Sequence, residues 1–216
     1  MNKKQALAKV NLYLIADKKI CEDRFIEDVV LQAIEGGAQM IQYRDKESSD
    51  REFLEVALVL QNICENRKIP FIINDRVDVA AYLKPDGVHL GQDDLPLKIA
   101  RKILGQSKII GISAENIDQA KEAEKHGADY VGIGPMFDTS TKKIEKPVGL
   151  EIIGQAKKYL KIPFFPIGGI NLKNIDQIFH AGSRRIAVGS AVICANNVKT
   201  AAKNLLQKIQ NLNTST

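Results

Sequence analysis

A single-domain (β/α)8 barrel spanning residues 1–216 is the fold this sequence predicts, on three observations. Eight apolar runs of strand length recur along the chain, separated by amphipathic stretches. The runs are continuous rather than alternating, the mark of strands buried on both faces of a parallel sheet. The last two, Ile-Pro-Phe-Phe-Pro-Ile-Gly-Gly-Ile from Ile162 and Arg-Ile-Ala-Val-Gly-Ser-Ala from Arg185, carry glycines at their ends about 20 residues apart. That is the pattern of the phosphate grip formed by the last two loops of such a barrel. Ordinary strand ends with glycine turns are the alternative for these two stretches taken alone.

In chain order the predicted strands are Leu12–Ala16, Met40–Tyr43, Phe71–Ile73, Gly87–Leu90, Ile109–Ile112, Tyr130–Ile133, Pro163–Ile167 and Ile186–Val188. Eight such units at this length favour a closed barrel, because a doubly wound open sheet usually has fewer strands. Between strands two and three, Phe53, Ala57, Leu60 and Cys64 share one helical face. Ser49 or Asp50 is placed to cap that helix, and Asn116 and Asn171 the helices after strands five and seven. Gly37, Gly127 and Gly182 follow helix ends, where glycine supplies the left-handed turn into the next strand. Residues 1–11 read as a short extra segment and 211–216 as a frayed polar tail.

Composition bounds the function. Hydrophobic residues make up 44% and charged residues 26%, ordinary for a globular chain. The net charge of +5 is spread over the predicted helices, without the basic, aromatic-bearing stripe of a nucleic-acid binder. The three widely spaced cysteines form neither a disulfide framework nor a zinc pattern, which fits a reducing cytoplasm. No apolar leader and no run of membrane-spanning length is present. Small-molecule substrates, no nucleic acid and no membrane are the expected partners; the oligomeric state stays open, a homo-oligomer included.

Chemistry in such a barrel gathers at the C-terminal strand ends. At the second tip, Gln42-Tyr43-Arg44-Asp45-Lys46, alternation sends Gln42, Arg44 and Lys46 to one side and Tyr43 and Asp45 to the other. Two cations with an amide suit a polyanion such as pyrophosphate. The third tip is Asn74-Asp75-Arg76. Asp75 with Asp93 or Asp94, from the fourth tip, would hold one Mg²⁺, which prefers a few carboxylates plus phosphate oxygens. One of Asp93 and Asp94 is equally placed to cap the helix after Leu95-Pro96. His89 lies within the strand pattern and reads as a hydrogen-bonded interior histidine rather than a base. Ser113 ends the fifth tip. The sixth opens a loop of about 15 residues, longer than most βα connections, in which Thr139, Ser140, Thr141 and Lys142 suit an anion.

The ordered set Gln42-x-Arg44-x-Lys46, Asn74-Asp75-Arg76, Gly87-Val88-His89-Leu90-Gly91-Gln92, Gly134-Pro135-Met136-Phe137, Thr139-x-Thr141-Lys142, Gly168-Gly169-Ile170 and Gly189-Ser190-Ala191 resembles the thiamine-phosphate synthase family, from about Leu12 to Leu206. The resemblance implies a Mg²⁺-dependent transferase joining 4-amino-2-methyl-5-hydroxymethylpyrimidine diphosphate to a thiazole phosphate, carboxylated or not, with release of pyrophosphate. It implies that Gln42 to Lys46 (Tyr43 and Asp45 included), Asn74, Ser113 and Lys142 bind the pyrimidine diphosphate, and that Asp75 and Asp94 hold the metal. Thr139, Ser140 and Thr141 would contact the thiazole substrate, and Gly169, Gly189 and Ser190 its phosphate. Arg44, Lys46, Lys142 and Ser113 are the expected catalytic groups; in a dissociative displacement Arg44, Lys46 and Lys142 would neutralise the departing pyrophosphate, and Ser113 would contact the pyrimidine. Three positions depart from the family: Tyr43 stands where a leucine is common, Asp138 where a proline is usual, and Glu115 where a histidine is usual; the Tyr43 side chain is expected to point outward. The related thiazole tautomerases rely on a histidine near that last position, so Glu115 separates the chain from them.

Overall fold

The computed structural model describes residues 3–138 and 146–213. Eight parallel strands form one sheet in the order β7-β6-β5-β4-β3-β2-β1-β8, and β7 approaches β8 to make a nearly closed barrel. The strands are β1 Leu12–Asp17, β2 Met40–Arg44, β3 Phe71–Asn74, β4 Gly87–Leu90, β5 Ile109–Ala114, β6 Tyr130–Ile133, β7 Phe164–Pro166 and β8 Ile186–Val188. Every predicted strand is present. Several run one or two residues further than the apolar pattern, because polar residues at their tips still join the ladder.

The outer layer contains α2 Ile26–Glu35, α3 Asp50–Arg67, α4 Val77–Leu83, α5 Leu97–Leu104, α6 Ile117–Lys125, α7 Glu151–Tyr159, α8 Ile175–His180 and α10 Val198–Asn213. Three short elements escaped the apolar pattern: α1 Lys3–Ala8 below the barrel, a 3₁₀ turn over Lys18–Cys21, and α9 Ser190–Ile193 at the mouth. Ser49 caps α3 by accepting from the Glu52 N–H, and Asn116 caps α6 through Gln119. Asn171 does not cap α8. It starts the preceding turn, and Asn174 occupies the cap position. Neither Asp93 nor Asp94 caps α5, which begins behind Pro96 without a side-chain cap. The C-terminal tail also differs, since α10 stays helical through Asn213.

Strand alternation divides the buried residues into two clusters. Leu14, Ile41, Ile73, Val88, Ile110, Val131 and their neighbours meet the helices. Tyr13, Ile15, Met40, Ile72, Ile109, Tyr130, Phe165 and Ala187 fill the barrel interior. The rings of Tyr13, Tyr130 and Phe165 meet edge to face at centroid distances of 5.4 to 5.8 Å. Such contacts add about 0.5–1.5 kcal/mol each beyond area burial. The Tyr130 ring fits only because residue 111 is glycine: a Cβ there would lie 2.1 Å from the ring. This packed interior closes the barrel from below and leaves the C-terminal strand ends as the floor of a cleft.

Candidate active site

A cavity of about 210 Å³ opens at the C-terminal mouth of the barrel. Gln42, Arg44 and Lys46 line it from β2, Asn74 and Asp75 from β3, and Asp94 from the loop after β4. Ser113 lines it from β5, and Gly169, Gly189 and Ser190 from the last two tips. Residues predicted from six separate stretches therefore share one cleft, because parallel strands in register place all their ends at the same level.

Tyr43 and Asp45 do not belong to it. Both side chains project outward and neither lines the cavity, in contrast to the substrate-binding role expected of them. Tyr43 is buried against Phe53 at 4.7 Å and donates its hydroxyl to Asp45 Oδ2 at 3.0 Å. Asp45 Oδ1 accepts the N–H groups of Glu47 and Ser48, folding the loop into α3. Burial opposes the charge on Asp45, but the hydrogen bonds from Ser48 and Glu47 prevail and lower its proton affinity. Thr139, Ser140, Thr141 and Lys142 lie outside the described residues.

The cations are held in place. Arg44 pairs through Nη1 with Asp17, a residue that sequence reasoning missed and whose signal was its position at the end of the first apolar run. Lys46 Nζ sits 3.0 Å from Asp75 Oδ2. Asp75 has a left-handed backbone, φ 60°, in the turn out of β3. Its proton affinity is raised to about 6, first by burial and then by hydrogen bonding to Asp94, with Lys46 opposing. Asp94 accepts the Gly91 N–H at 2.6 Å, and its proton affinity is lowered: burial is outweighed by its bonds to Asp75 and Gly91. A carboxylate pair of this kind is a place where a divalent cation can replace a shared proton. Among the described residues no group of three or more His, Cys, Asp or Glu side chains gathers as a self-sufficient metal cage. Any cation here takes its remaining ligands from elsewhere, as Mg²⁺ does with phosphate oxygens and water.

Glycine tips form the opposite wall. Gly168 and Gly169 both have positive φ, 97° and 65°. The Gly168 carbonyl accepts from Phe137 N–H, and that of Gly169 from the Asn171 and Asn174 side-chain amides. These bonds anchor the turn to the β6–α7 loop and to the start of α8. A Cβ on Gly169 would stand 2.5 Å from the Asp138 carbonyl oxygen. Beside the cleft, the Gln92 amide donates to the Ser113 carbonyl at 2.6 Å and ties the fourth tip to the fifth.

Barrel and cleft together define the class: a (β/α)8 enzyme with its site at the C-terminal strand ends. The description "Thiamine monophosphate synthase" matches residues 12–192, and the chain belongs to that family. It is 49% identical over 189 residues to a thiamine-phosphate synthase of Halalkalibacterium halodurans, covering 87% of this chain and 90% of that one. It is 42% identical to one of Methanosarcina barkeri, covering 96% and 94%. Among solved structures, a thiamine phosphate pyrophosphorylase from Pyrococcus furiosus superposes with a TM-score of 0.85 at 36% identity, covering 98% of each chain. No helix among the described residues is long and apolar enough to cross a membrane.

Proposed function

We propose that this chain condenses 4-amino-2-methyl-5-hydroxymethylpyrimidine diphosphate with a thiazole phosphate, forming thiamine phosphate and pyrophosphate. The observation that carries this reading is the division of one cleft into two anion-receiving sides. Arg44, Lys46 and the Asp75–Asp94 pair form one, and the Gly169 and Gly189–Ser190 tips the other. Two phosphorylated substrates require two such sides, whereas an isomerase of a single phosphate ester requires one.

The Asp75–Asp94 pair fits Mg²⁺, which when bound would neutralise charge on the pyrophosphate. Arg44 and Lys46 supply fixed positive charge where the leaving group develops its negative charge. Lys142, outside the described residues, is assigned the same task, and Thr139, Ser140 and Thr141 contact with the thiazole. Asn74 and Gln42 orient the pyrimidine diphosphate, and Ser113 donates to it. The glycine tips receive the thiazole phosphate through backbone N–H groups, which fixes the attacking nitrogen in place. The aminopyrimidine stabilises the cation left by C–O cleavage, so the protein needs no covalent nucleophile. The reducing cytoplasm suits the three free cysteines.

The test is an end-point assay with both substrates and Mg²⁺, with and without excess chelator, reading thiamine phosphate as its fluorescent oxidation product. Chelator-sensitive product is expected. A folded protein that binds the thiazole phosphate yet forms no product would overturn the transferase reading.

A further inference from the structure

A chain of hydrogen bonds crosses the barrel interior beneath the cleft. Gln42 Nε2 donates to the Tyr13 hydroxyl at 2.6 Å, and Tyr13 and Tyr130 share a bond of 2.7 Å. Tyr130 meets His89 Nδ1 at 3.0 Å, and His89 Nε2 meets Ser113 Oγ at 2.9 Å. Tyr13 and Tyr130 are fully enclosed, and burial raises the proton affinity of both, so each hydroxyl keeps its proton. Gln42 and Ser113 stand at the two ends, and of the three side chains between them Tyr13 and His89 also form part of the cleft floor.

The direction of the chain follows from proton counting. Tyr13 accepts from Gln42, and the acceptor it meets among the described residues is Tyr130, so its proton points there. Tyr130, having accepted, turns its own proton to His89 Nδ1. An imidazole that accepts at Nδ1 carries its hydrogen on Nε2, because the tautomer is set by the partner of the other nitrogen. His89 then donates to Ser113 Oγ, and the Ser113 proton is released toward the cleft.

We propose that Tyr13, Tyr130 and His89 are positioning residues that fix the Ser113 hydroxyl as a hydrogen-bond donor to the substrate. The group received there is an acceptor atom, such as an aromatic ring nitrogen or a phosphate oxygen of the pyrimidine diphosphate. Naming that substrate rests on the function proposed above; the ordering of the protons does not. The opposite order requires the Gln42 amide to turn its oxygen to the Tyr13 hydroxyl, and it presents Ser113 as an acceptor. An ordered network costs no reorganisation when the ligand arrives, which is the advantage of preorganised dipoles in a site of low dielectric.

The experiment is nitrogen-detected NMR of histidine-labelled full-length protein without ligand, at neutral to alkaline pH. His89 is one of three histidines, so its signals are assigned by comparison with His89→Gln. A neutral ring protonated at Nε2 is expected in the wild type and in Ser113→Ala, because the tautomer is set from the tyrosine side. Tyr130→Phe keeps the ring packing and should shift His89 toward a tautomer mixture. Tyr13→Phe serves the same purpose if that variant does not fold. A wild-type ring protonated at Nδ1, a doubly protonated ring, or a tautomer indifferent to the tyrosine substitution would each overturn the proposal. With substrates, Tyr130→Phe should raise KM for the pyrimidine diphosphate about fivefold, the scale of one hydrogen bond, and leave KM for the thiazole phosphate unchanged. Equal increases in both would also overturn it. Absence of product from the wild type would instead remove the proposed function and leave the NMR result to decide the proton order.

Discussion

Asp17 and Arg44 are directly paired residues of neighbouring strands, and their side chains form an ion pair at the edge of the cleft. The carboxylate is buried and also accepts the Lys19 N–H at 3.1 Å, so it is fixed from both directions. A guanidinium held in this way meets an anion without first being ordered. Asp17→Ala should lower stability by about 1–3 kcal/mol, since it leaves a partly buried cation unpaired. It should also raise KM for the diphosphate substrate more than KM for its partner. Urea unfolding and steady-state kinetics on the same preparation check both.

Asp75 makes a pH prediction with a definite sign. The proton on Asp75 is bound more tightly in the folded protein than in the unfolded chain, with a midpoint raised to about 6. The stabilisation from that proton is complete below the unfolded carboxylate range and is lost as pH rises from about 4 to about 6. Without divalent cations, Asp75→Asn should remove this fall and be the more stable protein near neutrality, although inactive. Asparagine is the suitable replacement because it tolerates the left-handed backbone at this position. Thermal unfolding across that pH range, with and without Mg²⁺, distinguishes the two proteins.

Gly169 and Gly105 both have positive φ, but a Cβ at Gly105 would meet nothing within 4 Å. Gly105→Ala should cost about 1–3 kcal/mol through backbone conformation alone, since its φ of 80° and ψ of 177° lie in a region essentially confined to glycine, and leave turnover unchanged. Gly169→Ala adds collisions with Asp138 and Phe137, and should cost about 2–3 kcal/mol while weakening binding of the thiazole phosphate. Equal kinetics for the two variants would remove the glycine tip from the phosphate-binding role.

At the opposite end of the barrel, Asp129 pairs with Arg101 at 2.6 Å and with Lys3 at 2.8 Å, and accepts the Ile110 N–H at 2.9 Å. Asp129→Ala should lower stability by about 2–4 kcal/mol, with both KM values unaltered. Its charges lie at the N-terminal strand ends, remote from the cleft, where a barrel carries stability rather than chemistry. Denaturant unfolding and kinetics again provide the check.

The strands were readable because a parallel sheet buried on both faces imposes continuous apolar runs. The tips were readable because their polar residues interrupt those runs at one end. Alternation separated Gln42, Arg44 and Lys46 from Tyr43 and Asp45; the binding role implied by the resemblance did not, since it covered the stretch from Gln42 to Lys46 as a unit. Asp94 looked like a helix cap in one dimension, and its role against Gly91 and Asp75 depends on a loop path that no periodicity reports. The interior chain was the least readable part. Tyr13 and Tyr130 are 117 positions apart, and each alone is an aromatic in an apolar run. Only closure of the barrel brings their hydroxyls together.

The collision that a Cβ at Gly111 would make with Tyr130 has an evolutionary consequence. The two positions share one volume, so neither can drift freely on its own. A side chain at residue 111 is tolerated only after the ring at residue 130 has shrunk, and that loss would also remove the hydroxyl that reaches His89. Among descendants of this barrel, positions 111 and 130 should therefore vary as a pair, and lineages that exchange them should have rebuilt the wiring beneath the cleft by other means.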